Sequence, residues 1–366
     1  MTIITFIPLF LQYLGIDRVQ IQLITTIFPF SSSLFPSFIG KFSDKVQNRG
    51  YFFKIGLIGA TFTVFLLNLT RDVIFIALLI LLLSFFNSCY RMIMPLFQEL
   101  VENRSRQIIY YNMTMVLGWY VGSQLGGLVV EVNGINHFLL FVLMLYFLNI
   151  FLALFIKEEN KKILQIDVQK EMEDLKNEKS DDNLEVKTPI SKSIYIALFF
   201  RNFGTRPILS ILSILMAIHL TNDLEIGFLI GFNPLIQFFL MLLTRNMMKD
   251  KNLKLFMIMG YILSAATITG YIFSNNFVAF LIDQVLLSCS FTFFWNATQI
   301  YIAKRTTPQN KGKYIGLANS SFFTGSFLGG IFFSIILIFN SNYYEILWIM
   351  IIFPLISAFS ILLKFK

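Results

Sequence analysis

Gly122-Ser-Gln-Leu-Gly-Gly127 returns as Gly325-Ser-Phe-Leu-Gly-Gly330, 203 residues later, each copy inside a long apolar run. Pro29 and Pro234 each lie in the apolar run that follows a short polar turn, Gly15-Ile-Asp-Arg-Val-Gln-Ile-Gln22 and Thr221-Asn-Asp-Leu-Glu-Ile-Gly-Phe228, and they stand 205 apart. Glycine-rich faces do arise independently in membrane helices, because small residues let backbones approach. A near-constant offset across two unrelated features is better explained by an internal repeat, and it divides the chain into two halves.

The composition says what kind of halves these are. Of 366 residues, 56% are hydrophobic and 14% charged, with 43 phenylalanines and a mean hydropathy of +0.70. Soluble domains carry charge at roughly 25%. At about 30 residues per span and connection the chain has room for roughly a dozen transmembrane helices. Apolar runs cover about 1–16, 20–39, 51–70, 73–97, 108–130 and 136–156, then 194–219, 225–244, 255–274, 277–301, 314–338 and 346–363. The expected fold is therefore an all-α membrane protein: twelve transmembrane helices in two six-helix pseudo-repeats, with a short first helix. Residues 1–156 form the N-terminal half and 193–366 the C-terminal half. Between them lies 157–192, with 8 Lys and 10 Asp or Glu, a segment too charged for lipid and long enough to link the halves.

Sixteen helical residues reach roughly 24 Å against a hydrocarbon core of about 30 Å. At the 205-residue offset Met1 is the counterpart of Arg206, so about a dozen residues of the repeat are missing upstream. A start assigned too late and a truncated copy both fit. The opening residues show no basic region and no small-residue cleavage site, so no secretory signal is expected. Cys89 and Cys289 both lie in apolar runs and imply no disulfide framework.

Lysine and arginine orient the chain. With both termini inside, 24 of the 29 cations, including the 8 of the linker, fall in the cytoplasm. Arg18 and Arg71 fall outside, and Arg91, Arg201 and Arg206 fall within spans. That asymmetry predicts cytoplasmic termini in the cell membrane. It also accounts for the net charge of +8 without nucleic acid as a partner.

Between spans two and three the chain reads Gly40-Lys-Phe-Ser-Asp44-Lys45-Val-Gln-Asn-Arg49-Gly50. This resembles the G-x-x-x-D-[RK]-x-G-[RK]-[RK] loop of the major facilitator superfamily, with Gln47 in place of the second glycine and Asn48 in place of the first paired base. The resemblance implies a cytoplasmic latch of Gly40, Asp44, Lys45 and Arg49, whose aspartate faces the N-terminus of helix eleven near Gly312-Lys313-Tyr314. A carboxylate against exposed N–H groups and a helix dipole is worth about 0.3–2 kcal/mol. The matching loop of the second half keeps its cations but not the glycine frame. Span five, with Gly118, Gly122, Ser123, Gly126 and Gly127, resembles the G-x-x-x-G-P-x-x-G-G element of exporter branches, with Ser123 in place of proline. Its residues read equally well as helix-packing glycines, as do Gly325, Gly329 and Gly330.

In that superfamily helices one, four, seven and ten line a central cavity. Away from the span ends, every charge inside a span of this sequence lies on four, seven or ten: Arg91, Arg201, Arg206 and Asp283. Neutral polar residues accompany them at helical spacing, with Asn87 on span four, Asn202, Ser210 and Ser213 on span seven, and Gln284, Ser288, Thr292 and Asn296 on span ten. Intramembrane charge is costly and marks solute pathways, although lone Ser or Thr residues usually serve packing. Counting depth from each helix end puts Asp283 about 9 Å and Arg206 about 12 Å below the outer boundary. An ion pair between them is expected, with Asp283 exchanging a proton as the pair opens.

No catalytic pair, metal-ligand cluster or nucleotide-binding motif accompanies these residues, so neither an enzyme nor a cofactor is expected. The leading expectation is a monomeric secondary transporter working by alternating access, with proton-coupled efflux of an amphipathic or anionic compound. Uptake of a sugar or organic anion is the alternative, and a non-transporting solute sensor of the same fold is the alternative of another class.

Overall fold

The computed structural model describes residues 2–46, 49–93, 104–155, 190–244, 247–248, 250–306, 308–340 and 342–364. The charged linker therefore lies outside the described residues, apart from its last three. The N-terminal half comprises α1 (Thr2–Tyr13), α2 (Arg18–Val46), α3 (Arg49–Leu69), α4 (Val73–Tyr90), α5 (Arg104–Asn133) and α6 (Phe138–Ala153). The C-terminal half comprises α7 (Lys192–Ser210, resuming after Ile211 as Leu212–Ala217), α8 (Asp223–Thr244), α9 (Leu253–Phe273), α10 (Phe277–Arg305), α11 (Pro308–Phe339) and α12 (Tyr343–Met350, resuming as Ile352–Lys364). Among the described residues nine helices are long and apolar enough to cross a membrane. The exceptions are α1, α2 and α7, which stand where spans one, two and seven are expected.

Local chemistry sets the helix ends. Asp72, Asn276 and Asn342 each occupy an N-cap and accept from a backbone N–H of the first turn, at Phe75 (2.8 Å), Ala279 (3.0 Å) and Tyr344 (3.1 Å). Each satisfies a donor that the helix itself leaves orphaned. Pro207 interrupts the hydrogen bonding of α7, and the helix breaks four residues on, at Ile211 (φ −117°, ψ 15°). Two ends differ from the sequence reading. Helix α2 runs on to Val46, so Gly40–Val46 is helical rather than loop, and α11 starts at Pro308, ahead of Gly312. Proline suits a first helical turn, where its missing N–H has no partner to lose.

The apolar core is distributed unequally along the bundle. At the end that carries the α1–α2 and α7–α8 turns, one continuous cluster draws on both halves, from Phe10, Ile24, Leu67 and Phe138 to Ile211, Met216, Phe280 and Tyr343. At the opposite end, where the linker attaches, the described residues form separate clusters. One holds Ile194, Met257, Phe294, Tyr301 and Phe322 of the C-terminal half, and the other holds Phe53, Leu57 and Ala153 of the N-terminal half. These are called below the turn end and the linker end. Helix α6 leaves Met144, Phe147, Leu148 and Phe151 exposed, as a helix facing lipid must.

Glycines make the seams between the halves. A Cβ on Gly127 of α5 would lie 2.9 Å from the Asp223 carbonyl oxygen of α8, and one on Gly227 of α8 would lie 2.5 Å from the Ser123 carbonyl oxygen. The residue equivalent to Gly127 in the repeat, Gly330 of α11, abuts the Thr26 side chain of α2. Gly325 and Gly329 instead pack inside the C-terminal half, on the backbone of Phe199 and Phe203. Gly122 and Gly126 are buried. Gly118 departs from the packing expectation: it is exposed, and no described atom lies within 4 Å of the Cβ it would carry.

Candidate functional site: a cavity between the halves

A cavity of about 310 Å³ opens between the two halves. Its wall takes residues from α1, α2 and α5, from Arg91 at the end of α4, and from α7, α8, α10 and α11. Helices α3, α6, α9 and α12 contribute none. The volume is at the low end of the range for ligand pockets, roughly 300–1,000 Å³, which suits a small solute.

Among the described residues two charged ones line it, Arg91 and Arg206, and no Asp or Glu does. Arg206 stacks its guanidinium over Phe322, 5.1 Å from the ring centroid, while its Nε is buried without a hydrogen-bond partner. Trp119 Nε1 and Ser213 Oγ, on the same wall, are also buried and unpartnered. Neutral polar groups complete the wall. Gln284 donates from Nε2 to Tyr271 Oη (3.1 Å), and Asn233 donates to the Gln284 carbonyl (3.2 Å), so α8, α9 and α10 are stitched together behind the cavity.

Of the residues singled out in the sequence, Arg91, Arg206, Ser210, Ser213 and Gln284 stand on this wall. The others are placed elsewhere. Asn87 turns to α6, where its Oδ1 accepts from Tyr146 Oη at 3.1 Å. Ser288 donates to the Asn233 carbonyl (2.9 Å) between α8 and α10. Thr292 is buried and Asn296 half-buried, both off the wall. Arg201 is 1% exposed and lies inside the C-terminal half. Its Nε donates to Ser264 Oγ (3.0 Å), its Nη1 donates to Asn202 Oδ1 (3.0 Å), and its guanidinium lies 4.5 Å from the Phe294 centroid. Asn202 in turn donates to the Leu198 carbonyl (2.7 Å).

The expected pair of Arg206 and Asp283 does not form. Asp283 is 3% exposed and accepts from Ser274 Oγ at 2.6 Å, at the junction of α9 and α10. Its carboxylate occupies the space that a side chain at Gly270 would fill. The rotation of α10 points Asp283 at α9 instead of α7. The side chains of Gly40 and Asp44 lie outside the described residues, as do those of Gly312 and Lys313, so the latch is not visible here. Lys45 is exposed and Arg49 half-buried.

The sequence reading missed Trp119 of α5, Thr25 and Thr26 of α2 and Asn233 of α8 on the cavity wall. The adjacent threonines of span two and the asparagine beside Pro234 were the available signals. Thr25 and Gln22 also meet Ser210 across the halves, at 3.4 and 3.3 Å, and the Asp223 backbone N–H donates to Glu131 (2.9 Å). Thr25 and Ser210 belong to the wall itself, while Gln22 and the Asp223–Glu131 contact lie on its turn-end side.

Three solved structures share this architecture. A variant of the nucleoside transporter NupG superposes with TM-score 0.79 at 13% identity, covering 100% of this chain and 96% of its own. A POT family transporter in complex with 5-aminolevulinic acid gives 0.77 at 11%, covering 99% and 92%. A D-xylose-proton symporter gives 0.74 at 10%, covering 95% and 88%. No curated protein sequence matches the chain. The model of the MFS_1 like family matches residues 2–350. Two six-helix halves, glycine seams and a cavity between them thus belong to an integral, multi-pass membrane protein of the major facilitator type, and the chain is a member of the MFS_1 like family.

Proposed function

We propose that this protein is a secondary transporter that carries a small solute through the cavity between its halves by alternating access. One observation carries the reading: the halves share a single core at the turn end, while the described residues at the linker end form separate cores. Alternating access requires that asymmetry, since a solute site must be sealed on one side while the other can part. The excess of Lys and Arg in the linker-end loops makes that end cytoplasmic and both termini internal. The cell membrane is the proposed location and the monomer the proposed working unit.

Proton coupling is assigned to Asp283, the buried carboxylate next in sequence to the wall residue Gln284. Efflux rests on the glycine element of α5 alone, and packing of α5 on α8 accounts for that element. Uptake is the second reading, and the D-xylose-proton symporter among the structural relatives favours it. A sensor that binds without moving its solute is the reading to be tested against.

Gln22 and Ser210 provide the test. With Cys89 and Cys289 replaced by serine, Gln22→Cys and Ser210→Cys are joined by oxidation in proteoliposomes. The expected result is loss of solute flux on crosslinking and recovery on reduction. Flux that is unchanged by a verified crosslink would overturn alternating access at this seam, and no flux of any solute before oxidation would favour the sensor.

A further inference from the structure

We infer that the solute is a small organic anion, whose carboxylate or phosphate is held at Arg206 with Trp119 and Ser213 as further donors. The inference deepens the transporter reading and rests on it. Three groups on one wall, Arg206 Nε, Trp119 Nε1 and Ser213 Oγ, are buried and lack a partner. The first two can only donate, and a serine hydroxyl donates as readily as it accepts. A neutral polyol can accept from these groups too, but each of its hydroxyls brings a proton that must find an acceptor of its own. An anionic oxygen supplies acceptors alone, which is what the wall requires.

Charge gives the same answer independently. Arg206 stands on the wall, and among the described residues no carboxylate does. Arg201, behind the wall on the same helix, lies within range of the Arg206 charge, and its Nη2 is also without a partner. A cation in a low-dielectric site is costly unless an opposite charge compensates it. Asp283 is engaged with Ser274 and does not reach Arg206. An entering anion would supply the missing charge. Phe28, Trp119 and Phe323 on the same wall would hold its apolar part.

The test uses pairs that differ in charge and little in shape, with purified protein in nanodiscs and binding read by calorimetry and by the unfolding temperature. Nicotinate is compared with nicotinamide, and glycerol phosphate with glycerol. The expected result is that at least one anion binds at millimolar concentration or tighter and raises the unfolding temperature, while its neutral partner does neither. The arm that responds says whether the group is a carboxylate or a phosphate. Arg206→Gln should weaken that anion by about 10-fold or more and Arg206→Lys by less, since a charged hydrogen bond is at stake. Trp119→Phe, which keeps the ring and removes the donor, should weaken it a few-fold without changing the fold. Equal binding of acid and amide, no response to either anion, or an anion affinity untouched by both Arg206→Gln and Trp119→Phe would overturn the inference. Flux of a neutral nucleoside or sugar that survives Arg206→Gln would overturn it too, and would leave the transporter reading standing.

Discussion

Gly127 of α5 and Gly227 of α8 face each other so closely that a Cβ on either would come within about 3 Å of the other's Cα, at 3.2 and 3.0 Å. No side chain separates the two halves here, and backbone meets backbone. Lipid tails are as apolar as leucine, so membrane helices gain little by hiding apolar surface from lipid; close packing of small residues holds them together instead.

Enlarging one of these glycines should part the seam. Gly227→Ala puts its methyl 2.5 Å from the Ser123 carbonyl oxygen, a backbone atom that cannot swing aside. The expected cost is about 1–3 kcal/mol, read as a lower unfolding temperature in detergent. Gly118→Ala, at a position facing open space, is the control and should leave that temperature unchanged. Equal effects of the two substitutions would refute the seam.

Arg201 is a buried cation held by two neutral side chains and an aromatic face. Replacing a buried charge by an apolar side chain of similar length is often neutral or stabilising. Arg201→Met is therefore expected to unfold at or above the wild-type temperature. Arg201→Ala should lose roughly 2–5 kcal/mol to the cavity it leaves. A methionine variant as unstable as the alanine variant would show that the charge itself is needed for folding.

Asp283 separates a structural staple from a proton carrier. Asp283→Asn keeps an acceptor for Ser274 Oγ and should cost at most about 1.5 kcal/mol in stability. Accumulation of solute driven by a pH gradient should nevertheless disappear, while exchange of labelled for unlabelled solute persists. If gradient-driven accumulation survives, Asp283 only ties α9 to α10.

The latch prediction stands on the sequence. Asp44→Asn removes the charge that would face the first turn of α11 and should slow transport severalfold, in line with about 1 kcal/mol of dipole interaction. Expression should stay near normal. Wild-type rates in the variant would reduce the loop to a topology signal.

The helices were legible because each needs its own apolar run, and lipid enforces that residue by residue. The glycines of Gly122–Gly127 and Gly325–Gly330 stood out by their common spacing, though the spacing did not say that Gly127 and Gly330 face the other half while Gly325 and Gly329 face their own. Arg91, Arg206 and Gln284 stood out because charge and amide are rare in apolar helices. What sequence could not supply was helix rotation. Asn87 and Arg91 lie one turn apart, yet Asn87 meets Tyr146 on α6 while Arg91 lines the cavity. Depth put Asp283 level with Arg206, but Gly270 offered space on the other side of α10, and the carboxylate fills it. Trp119 carried no signal because an aromatic residue in such a helix faces lipid as readily as a cavity.

The equivalence of Gly127 and Gly330 has a mechanical consequence. One seam sets glycine against glycine between α5 and α8, and the other sets glycine against Thr26 between α11 and α2. Both lie between the halves, so under the proposed alternating access the line through them would serve as an axle about which one half rocks on the other. Points far from an axle sweep the longest arcs, and points near it hardly move. Gln22 and Ser210, towards the turn end, would travel far enough to separate, whereas Thr26 and Ser326, beside the axle, would stay almost fixed. On the proposed mechanism the solute would not need to be carried any distance: it would rest near the pivot while the openings exchange around it.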